Sequence, residues 1–300
     1  MKTANYILFR YKLIDEDDGD VGAADHPNSF EAVRGKPTSY RSEDVEAART
    51  NVLMRFRREN FDGEFTLTFD VGHRIIQRVE SRYDDDADEY DMVTVGANDT
   101  VFTSFVVLPR LSVLAVKDGH GNRLSASSGM GRLRAIFASH SDSEFRYSRT
   151  ADPDDIDRAI RSLRITEFSF DVRPFNPHPS SPGEQLDRLM KEAGVGRFKG
   201  KAQPSPTKAM KAEDDGLLAE AIGLSRAGYG QFALKGQTPS GAKLSYSQPA
   251  LDMDKERNAA AAERPRALKV SVPIDDPDMT EQEHVVSVLQ ELFGAQKRSS

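Results

Sequence analysis

Hydrophobic and polar residues alternate most regularly at the start of the second half of the chain. The run Arg164–Val172 predicts a half-buried strand, with Thr166, Phe168, Phe170 and Val172 on its apolar face. Prolines then interrupt the pattern up to Pro182. Ser181 and Glu184 form a capping box around that proline, which predicts a helix ending at Gly194.

Helical and alternating patterns continue to the C-terminus. Apolar residues at helical spacing predict a helix at 217–224, and two short alternating runs at 232–234 and 244–246 predict strands joined by a turn. A strand at 268–274 precedes a helix capped by Thr280 and Glu283. The apolar face of that helix would hold Val285, Val286, Leu289, Leu292 and Phe293.

The first half has shorter patterns separated by charged runs. Residues 6–14 predict a strand, and Ser42 is placed to cap a helix with Val45, Ala48, Val52, Leu53 and Phe56 on one face. Strands are expected at 65–69 and 75–79, a charged loop at 84–91, a hairpin at 103–116, a helix at 130–137, a strand at 145–147 and a helix beginning at Pro153.

These elements do not alternate as repeated strand–helix–strand units. The order therefore favours an α+β fold with mixed, largely antiparallel sheets and packed helices, arranged in two lobes. The lobes would comprise residues 1–160 and 161–300, and the second would carry a mobile basic insertion at 195–213.

Composition limits the chemistry that this chain can perform. It has 300 residues, a formal net charge of -7 and no cysteine, which excludes disulfides, cysteine nucleophiles and Cys-ligated metals. The N-terminus lacks the apolar run of a signal peptide, and no window provides the roughly 20 apolar residues that a membrane span needs. We therefore expect a cytoplasmic protein with no membrane partner and no cofactor.

Two clusters of basic residues stand out in this acidic chain and predict contacts to DNA or RNA. Flexible basic segments with occasional aromatics suit phosphate backbones, although the same residues also fit a solvated helix face and a disordered loop. The first cluster surrounds Phe198, and the second surrounds Phe56. The candidate residues are Arg188, Lys191, Arg197, Lys199, Lys201, Lys208 and Lys211 in the first cluster and Arg55, Arg57 and Arg58 in the second.

Other candidate sites have weaker patterns. The acidic run at 84–91 has carboxylates that could ligate Mg²⁺ or Ca²⁺ but lacks a calcium-loop spacing. His120 lies in a Gly-rich turn and could act as a general base. The Gly/Ser-rich segment before the helix at 130–137 could bind an anion with help from Arg132 or Arg134, or simply cap the helix. No Gly-x-Ser-x-Gly elbow or P-loop is present.

The layout from residue 161 to 248 resembles an uncharacterised bacterial family of domains of unknown function, encoded in part near phage-defence genes. The residues that carry the resemblance are Ile165-Thr166-Glu167-Phe168-Ser169-Phe170, Arg173-Pro174-Phe175-Asn176-Pro177, Gly228-Tyr229-Gly230-Gln231-Phe232 and Gly241-Ala242-Lys243-Leu244-Ser245. The resemblance implies a bacterial or phage setting that includes defence. It transfers no functional residue, because the family has no established activity.

Three functions remain open from the sequence. The favoured one is a non-catalytic binding or accessory protein, in a defence setting, that contacts nucleic acid or a partner protein. The second is a metal-dependent nuclease or phosphotransferase that uses Asp70, Asp118 and Asp142 with His120 or His140. The third is a structural subunit whose C-terminal helix docks on a partner, although such a face normally packs on its own domain.

Overall fold

The computed structural model describes residues 2–15, 17, 19–40, 49–84, 89–118, 124–149, 153–174, 183–205, 210, 216–227, 229–248 and 268–294. Proximity of Cα atoms divides the chain into two compact units. We call residues 11–146 the first unit, and residues 1–10 together with 147–300 the second unit. The lobes 1–160 and 161–300 remain a prediction about folding domains.

The first unit combines a sheet with two helices. Its strands are β2 (Thr38–Tyr40), β3 (Arg49–Phe61), β4 (Glu64–Asp84), β5 (Glu89–Leu108) and β6 (Val113–Lys117), and its helices are α1 (His26–Ala32) and α2 (Ala126–His140). The strands pair antiparallel in that order, with a 3-10 turn at Pro109–Leu111 between β5 and β6. Strand β1 (Thr3–Ile14) begins in the second unit and ends in the first. Strand β7 (Glu144–Arg149) begins in the first unit and ends in the second.

Aromatic side chains fill the core of the first unit. The ring of Phe30 on α1 lies 5.2 Å from that of Phe69 on β4 and 5.1 Å from that of Phe137 on α2. Phe69 in turn stacks on Phe105 of β5 at 5.0 Å. In a chain without tryptophan, these phenylalanines are large apolar side chains that the helices bury against the sheet.

The second unit is a layer of helices on one face of an antiparallel sheet. Its strands are β8 (Arg164–Val172), β9 (Phe198–Ala202), β10 (Gly230–Gln237), β11 (Lys243–Gln248) and β12 (Lys269–Pro273), and its helices are α3 (Pro153–Ser162), α4 (Glu184–Glu192), α5 (Leu217–Arg226) and α6 (Glu281–Phe293). The strand order is β9-β8-β10-β11-β12-β1. Helix α5 packs on β8 and β10, and α6 packs on β12 and α3.

Most elements expected in the second unit are confirmed. The predicted apolar face of α6 is buried, and the side chains of Thr280 and Glu283 form the expected reciprocal cap at the start of α6. Leu289, Leu292 and Phe293 are at most 2% exposed, so the apolar face of α6 is covered by this chain. The mixed α+β class is therefore confirmed, with antiparallel pairing through β8–β12.

The helix predicted from Ser42 is wrong where the structure describes it. Val52, Leu53 and Phe56 belong to strand β3, while residues 41–48 lie outside the described residues. The pairing of β3 with β4 shifts between Met54 and Arg57, and Arg55 has a φ of 53°. This β-bulge puts Leu53 and Phe56 on the same buried side, so the strand imitates the three-residue spacing of a helix.

The long hairpin of β4 and β5 corrects two more predictions. Residues 75–79 continue β4 instead of forming a separate strand. Asp84 ends β4, and Glu89 to Asp91 begin β5, so these parts of the predicted charged loop are strand; residues 85–88 lie outside the described part. Cross-strand pairing extends as far as Asp84 and Glu89.

The predicted mobile insertion at 195–213 contains a strand. Residues Phe198–Ala202 form β9 and pair antiparallel with β8, and the mobility of the insertion stays a prediction. Gly200 faces the covered side, where an added Cβ would lie 2.5 Å from the ring of Phe170. A glycine at this point lets the edge strand approach Phe170 closely.

The capping box predicted at Ser181 and Glu184 does not start helix α4. The helix begins at Glu184, and its N-cap residue is Gly183, which has a φ of 101°. Ser181 lies outside the described residues. Glu220 of α5 supplies the acceptor instead, since its carboxylate accepts hydrogen bonds from the backbone N–H groups of Gln185 at 3.0 Å and Leu186 at 3.1 Å.

Candidate functional site

The basic residues predicted to bind nucleic acid in the first unit are engaged with carboxylates. Arg55 is paired with Asp70, which is buried. Arg57 lies 3.9 Å from a carboxylate oxygen of Glu59, and Arg58 lies 3.6 Å from Glu31. The three arginine side chains are 42–70% exposed, so their guanidinium groups remain accessible to solvent despite these pairs.

The predicted basic residues of the second unit lie on two different elements. Arg188 and Lys191 are exposed on α4, where Lys191 forms an i,i+4 ion pair with Asp187 at 2.9 Å. Lys199 and Lys201 project from β9, and Arg197 immediately precedes it. Lys208 and Lys211 lie outside the described residues. The fold places Arg197, Lys199 and Lys201 beside further cations on a larger surface.

That surface is the sheet face of the second unit that the helices leave uncovered, which we call the open face. On β8 to β12 its positions alternate with the buried residues Phe168, Phe170, Phe232, Leu234, Leu244, Tyr246, Val270 and Val272. Its charged strand positions are Arg164, Lys199, Lys201, Lys235, Lys243 and Lys269, together with the carboxylates of Glu167 and Asp171. The described open face thus has an excess of four positive charges, although the chain as a whole is acidic.

Two carboxylates organise the cations on the side of the open face nearest the sheet edge. Asp171 accepts two hydrogen bonds from Arg197, at 2.7 and 2.5 Å, and lies 3.3 Å from the amine of Lys199. Glu167 lies 3.0 Å from the amine of Lys201 and 3.1 Å from that of Lys235. Each carboxylate therefore holds two cations and neutralises only one charge.

These pairs also set the ionisation of the two carboxylates. The hydrogen bond from Arg197, assisted by Lys199, lowers the pKa of Asp171 below its usual range. The hydrogen bond from Lys201, assisted by Lys235, lowers the pKa of Glu167 in the same way. Both groups consequently stay ionised at neutral pH, and they position the surrounding cations by charge-assisted hydrogen bonds.

Small residues form a row on the open face next to Lys201, which pairs with Ser169. Ser169, Ala233 and Ser247 stand side by side on β8, β10 and β11, as the strand register shows. A shallow cavity of about 450 Å³ lies over them and is lined also by Asp171 and Gln231. Short side chains here leave space above the sheet beside Lys201.

Phe198 does not contribute an aromatic surface to the open face. It pairs with Val172 on the covered side, and its ring packs edge-on against that of Phe170 at 5.2 Å. The strand positions of the open face, as far as β8 to β12 are described, contain neither Phe nor Tyr. The open face therefore offers charge and hydroxyl groups, but no ring for base stacking.

Four cations of the open face were not predicted from the sequence, namely Arg164, Lys235, Lys243 and Lys269. A local signal existed, since each occupies a polar position in an alternating strand. What the sequence lacked was the strand order, which brings β12 next to β11 and β8 next to β10 across long connections. Clusters of charge along the sequence therefore indicated the cations of β9, but not these four, which become neighbours only when the sheet forms.

The residues of the proposed metal-dependent enzyme do not form a ligand cluster in the described structure. No three His, Asp or Glu side chains among the described residues are arranged to hold a metal ion. Asp70 is paired with Arg55, and the Nε2 of His140 lies 2.9 Å from the carbonyl oxygen of Pro37. His120 lies outside the described residues.

The Gly/Ser-rich segment before α2 acts as a helix cap. Ser125 is the N-cap residue, and its hydroxyl accepts a hydrogen bond from the N–H of Ser128 at 3.2 Å. Arg132, a candidate for anion binding, is buried and donates to the side chain of Asn51. The structure therefore favours the capping interpretation of this segment over an anion site formed by Arg132.

Comparison with known proteins adds no family assignment. A scan of family models and a search of curated proteins each find no match to this chain. The resemblance to the bacterial defence-associated family remains a prediction. Among the helices that the structure describes, none is long and apolar enough to cross a membrane.

Proposed function

We propose that this protein is a non-catalytic binding protein whose open face contacts the phosphate backbone of a nucleic acid. The single observation that carries the proposal is the concentration of positive charge on that face, with six cations against two carboxylates. The chain as a whole is acidic, so attraction to a nucleic acid would have to come from a local basic surface of this kind.

The arrangement of the cations supports a linear polyanion. Lys199 and Lys201 stand on β9, at one edge of the sheet, and Lys269 stands on β12, four strands away in the strand order. Because neighbouring strands are about 4.8 Å apart, the cations span roughly 19 Å across the sheet. A phosphate backbone laid across the strands would pass over the row of small residues beside Lys201.

Binding by this face would depend on charge and show little base preference. Lysine offers a point charge to phosphate oxygens, and no aromatic ring lies among the described strand positions of the face to stack on bases. Contacts to phosphates alone position a nucleic acid without reading its sequence. A role in bacterial defence, as an accessory protein, is part of the proposal and is supported by the sequence resemblance alone.

The test is a binding titration of labelled single- and double-stranded DNA and RNA over a series of salt concentrations. We expect binding by the wild-type protein to weaken steeply with salt. The double variant Lys199→Ser/Lys201→Ser should reduce the slope of log K against log salt by about 1.4 for single strands and about 1.8 for duplex DNA, if each lysine contacts one phosphate.

A charge-matched control is available in the first unit. Lys12 and Lys36 are exposed and belong to the first unit in the division of the chain, so Lys12→Ser/Lys36→Ser should leave the slope unchanged. Equal losses in both double variants would indicate non-specific charge attraction. If the wild-type protein binds none of the four nucleic acids but binds an acidic protein, this proposal is wrong and the partner of the open face is a protein.

A further inference from the structure

We infer that Lys235, Lys243 and Lys269 surround Ser245 to form a subsite for one phosphoryl group. The inference rests on the proposed function, because it names the chemical group that this part of the open face receives. It concerns three lysines that lie apart from β9 in the sequence, and it assigns them a common ligand.

The strand register places the four residues together. Ser245 on β11 pairs directly with Lys235 on β10 and with Lys269 on β12. Lys243 stands two residues before Ser245 on the same strand and therefore on the same face. Neighbours across the sheet are about 5 Å apart and those two residues along a strand are about 7 Å apart, so three flexible ammonium groups can reach one point above the Ser245 hydroxyl.

A second observation is the cavity at this point. It has a volume of about 160 Å³ and is lined by Lys235, Ser245 and Lys269, whereas Lys243 borders Ser245 on β11 without lining the cavity. This is smaller than the roughly 300–1,000 Å³ of pockets that enclose a whole drug-sized molecule. The space therefore suits a single small group of a larger ligand.

The charges around Ser245 favour an anion. Glu167 is the one carboxylate among the residues lining the cavity, and it also pairs with Lys201 on the far side. Its bond to Lys235, at 3.1 Å, fixes that side chain while Lys243 and Lys269 add two further positive charges. A phosphoryl group would balance this excess, accept hydrogen bonds from the three amines and accept another from the Ser245 hydroxyl.

The subsite can be tested with inorganic phosphate alone. Titration of ¹⁵N-labelled full-length protein at constant ionic strength should produce saturable amide shifts at Ser245 and its neighbours on β10 and β12. The double variant Lys243→Ser/Lys269→Ser should reduce the affinity at least tenfold, whereas Lys12→Ser/Lys36→Ser should retain it. Both lysine pairs are exposed, and unchanged dispersion of the remaining amide signals would verify folding.

Two outcomes would overturn the inference. One is the absence of saturable shifts at Ser245, and the other is equal phosphate affinity in the wild type and in Lys243→Ser/Lys269→Ser. The nucleic-acid titration separates this result from the proposed function. If oligonucleotides bind through Lys199 and Lys201 while phosphate does not bind at Ser245, the subsite is wrong and the function stands. If phosphate binds at Ser245 but oligonucleotides do not, the subsite stands and takes a small phosphorylated molecule.

Discussion

At the scale of single residues, Gly200 shows how close packing fixes the edge of the sheet that carries Lys199 and Lys201. A Cβ at this position would lie 2.5 and 2.6 Å from ring carbons of the buried Phe170. Gly200→Ala should therefore destabilise the protein by about 1–3 kcal/mol, as overpacked substitutions do. Urea unfolding measures the change.

Gly196 provides the matched control for that substitution. It lies four residues earlier, a Cβ added to it would meet no atom within 4 Å, and its φ is not positive. Gly196→Ala should change the free energy of unfolding by no more than about 0.5 kcal/mol. Equal effects at both glycines would show that backbone flexibility, and not the Phe170 ring, determines the cost.

At the scale of elements, two β-bulges explain where periodicity misled the prediction from sequence. In β3 the bulge at Arg55 brings Leu53 and Phe56 to one side, three residues apart. In β8 the pairing shifts opposite Lys235 and Gly236, so Ile165 and Phe168 are both buried and Thr166 is exposed. Thr166 was predicted to be on the apolar face, and this is wrong. A bulge changes the phase of alternation, which a fixed period of two cannot represent.

Helix α4 illustrates a second limit, because its cap comes from another helix. The carboxylate of Glu220 accepts from the N–H groups of Gln185 and Leu186, in the first turn of α4. No local motif contains a partner 34 residues away, so the sequence instead predicted a capping box at Ser181. Elements with local causes, such as the Thr280–Glu283 cap of α6, were predicted correctly.

Removing this cap should weaken α4 specifically. We expect Glu220→Ala to lower the free energy of unfolding by about 0.5–2 kcal/mol, because two N–H groups at the positive end of the helix lose a charged acceptor. Hydrogen exchange should accelerate at Gln185 and Leu186 in particular. Glu192→Ala, which removes an exposed carboxylate at the other end of α4, should leave those amides protected. Similar acceleration in both variants would contradict the proposed role of Glu220.

At the scale of the whole molecule, the open face depends on relationships that no short window of sequence contains. The alternation in β10, β11 and β12 predicted which residues point away from the core, but the order of the strands decides which of them become neighbours. Lys235 and Lys243 lie on one hairpin, whereas Lys269 joins them only through the pairing of β11 with β12. The net charge of -7 did not indicate this basic surface, because a sum over the chain does not show which charges the fold brings together.

The two units should also respond differently to acid. In the first unit, burial lowers the pKa of His26, whose Nδ1 lies 2.9 Å from the Tyr11 hydroxyl and whose Nε2 lies 3.0 Å from the carbonyl oxygen of Val21. The contact with Val21 and the nearby Asp25 and Asp20 partly oppose this shift. Since the unfolded state binds the proton more tightly, stability should fall as pH drops below about 6.5, by up to about 1.4 kcal/mol per pH unit until the folded pKa is reached.

Carboxylates in the second unit have a dependence of the same sign but in a lower pH range. Asp171 and Glu167 have pKa values below their ordinary ones, so their contribution is complete above those ordinary values and is lost only as pH falls from there through the folded values. Hydrogen exchange followed by mass spectrometry, from pH 7.5 to about 5 and corrected for intrinsic rates, should therefore show loss of protection in residues 11–146 but not around β8 to β10. The control His26→Gln should abolish most of that pH dependence, since glutamine does not titrate. Equal loss in wild type and variant would assign the acid sensitivity of the first unit to another group.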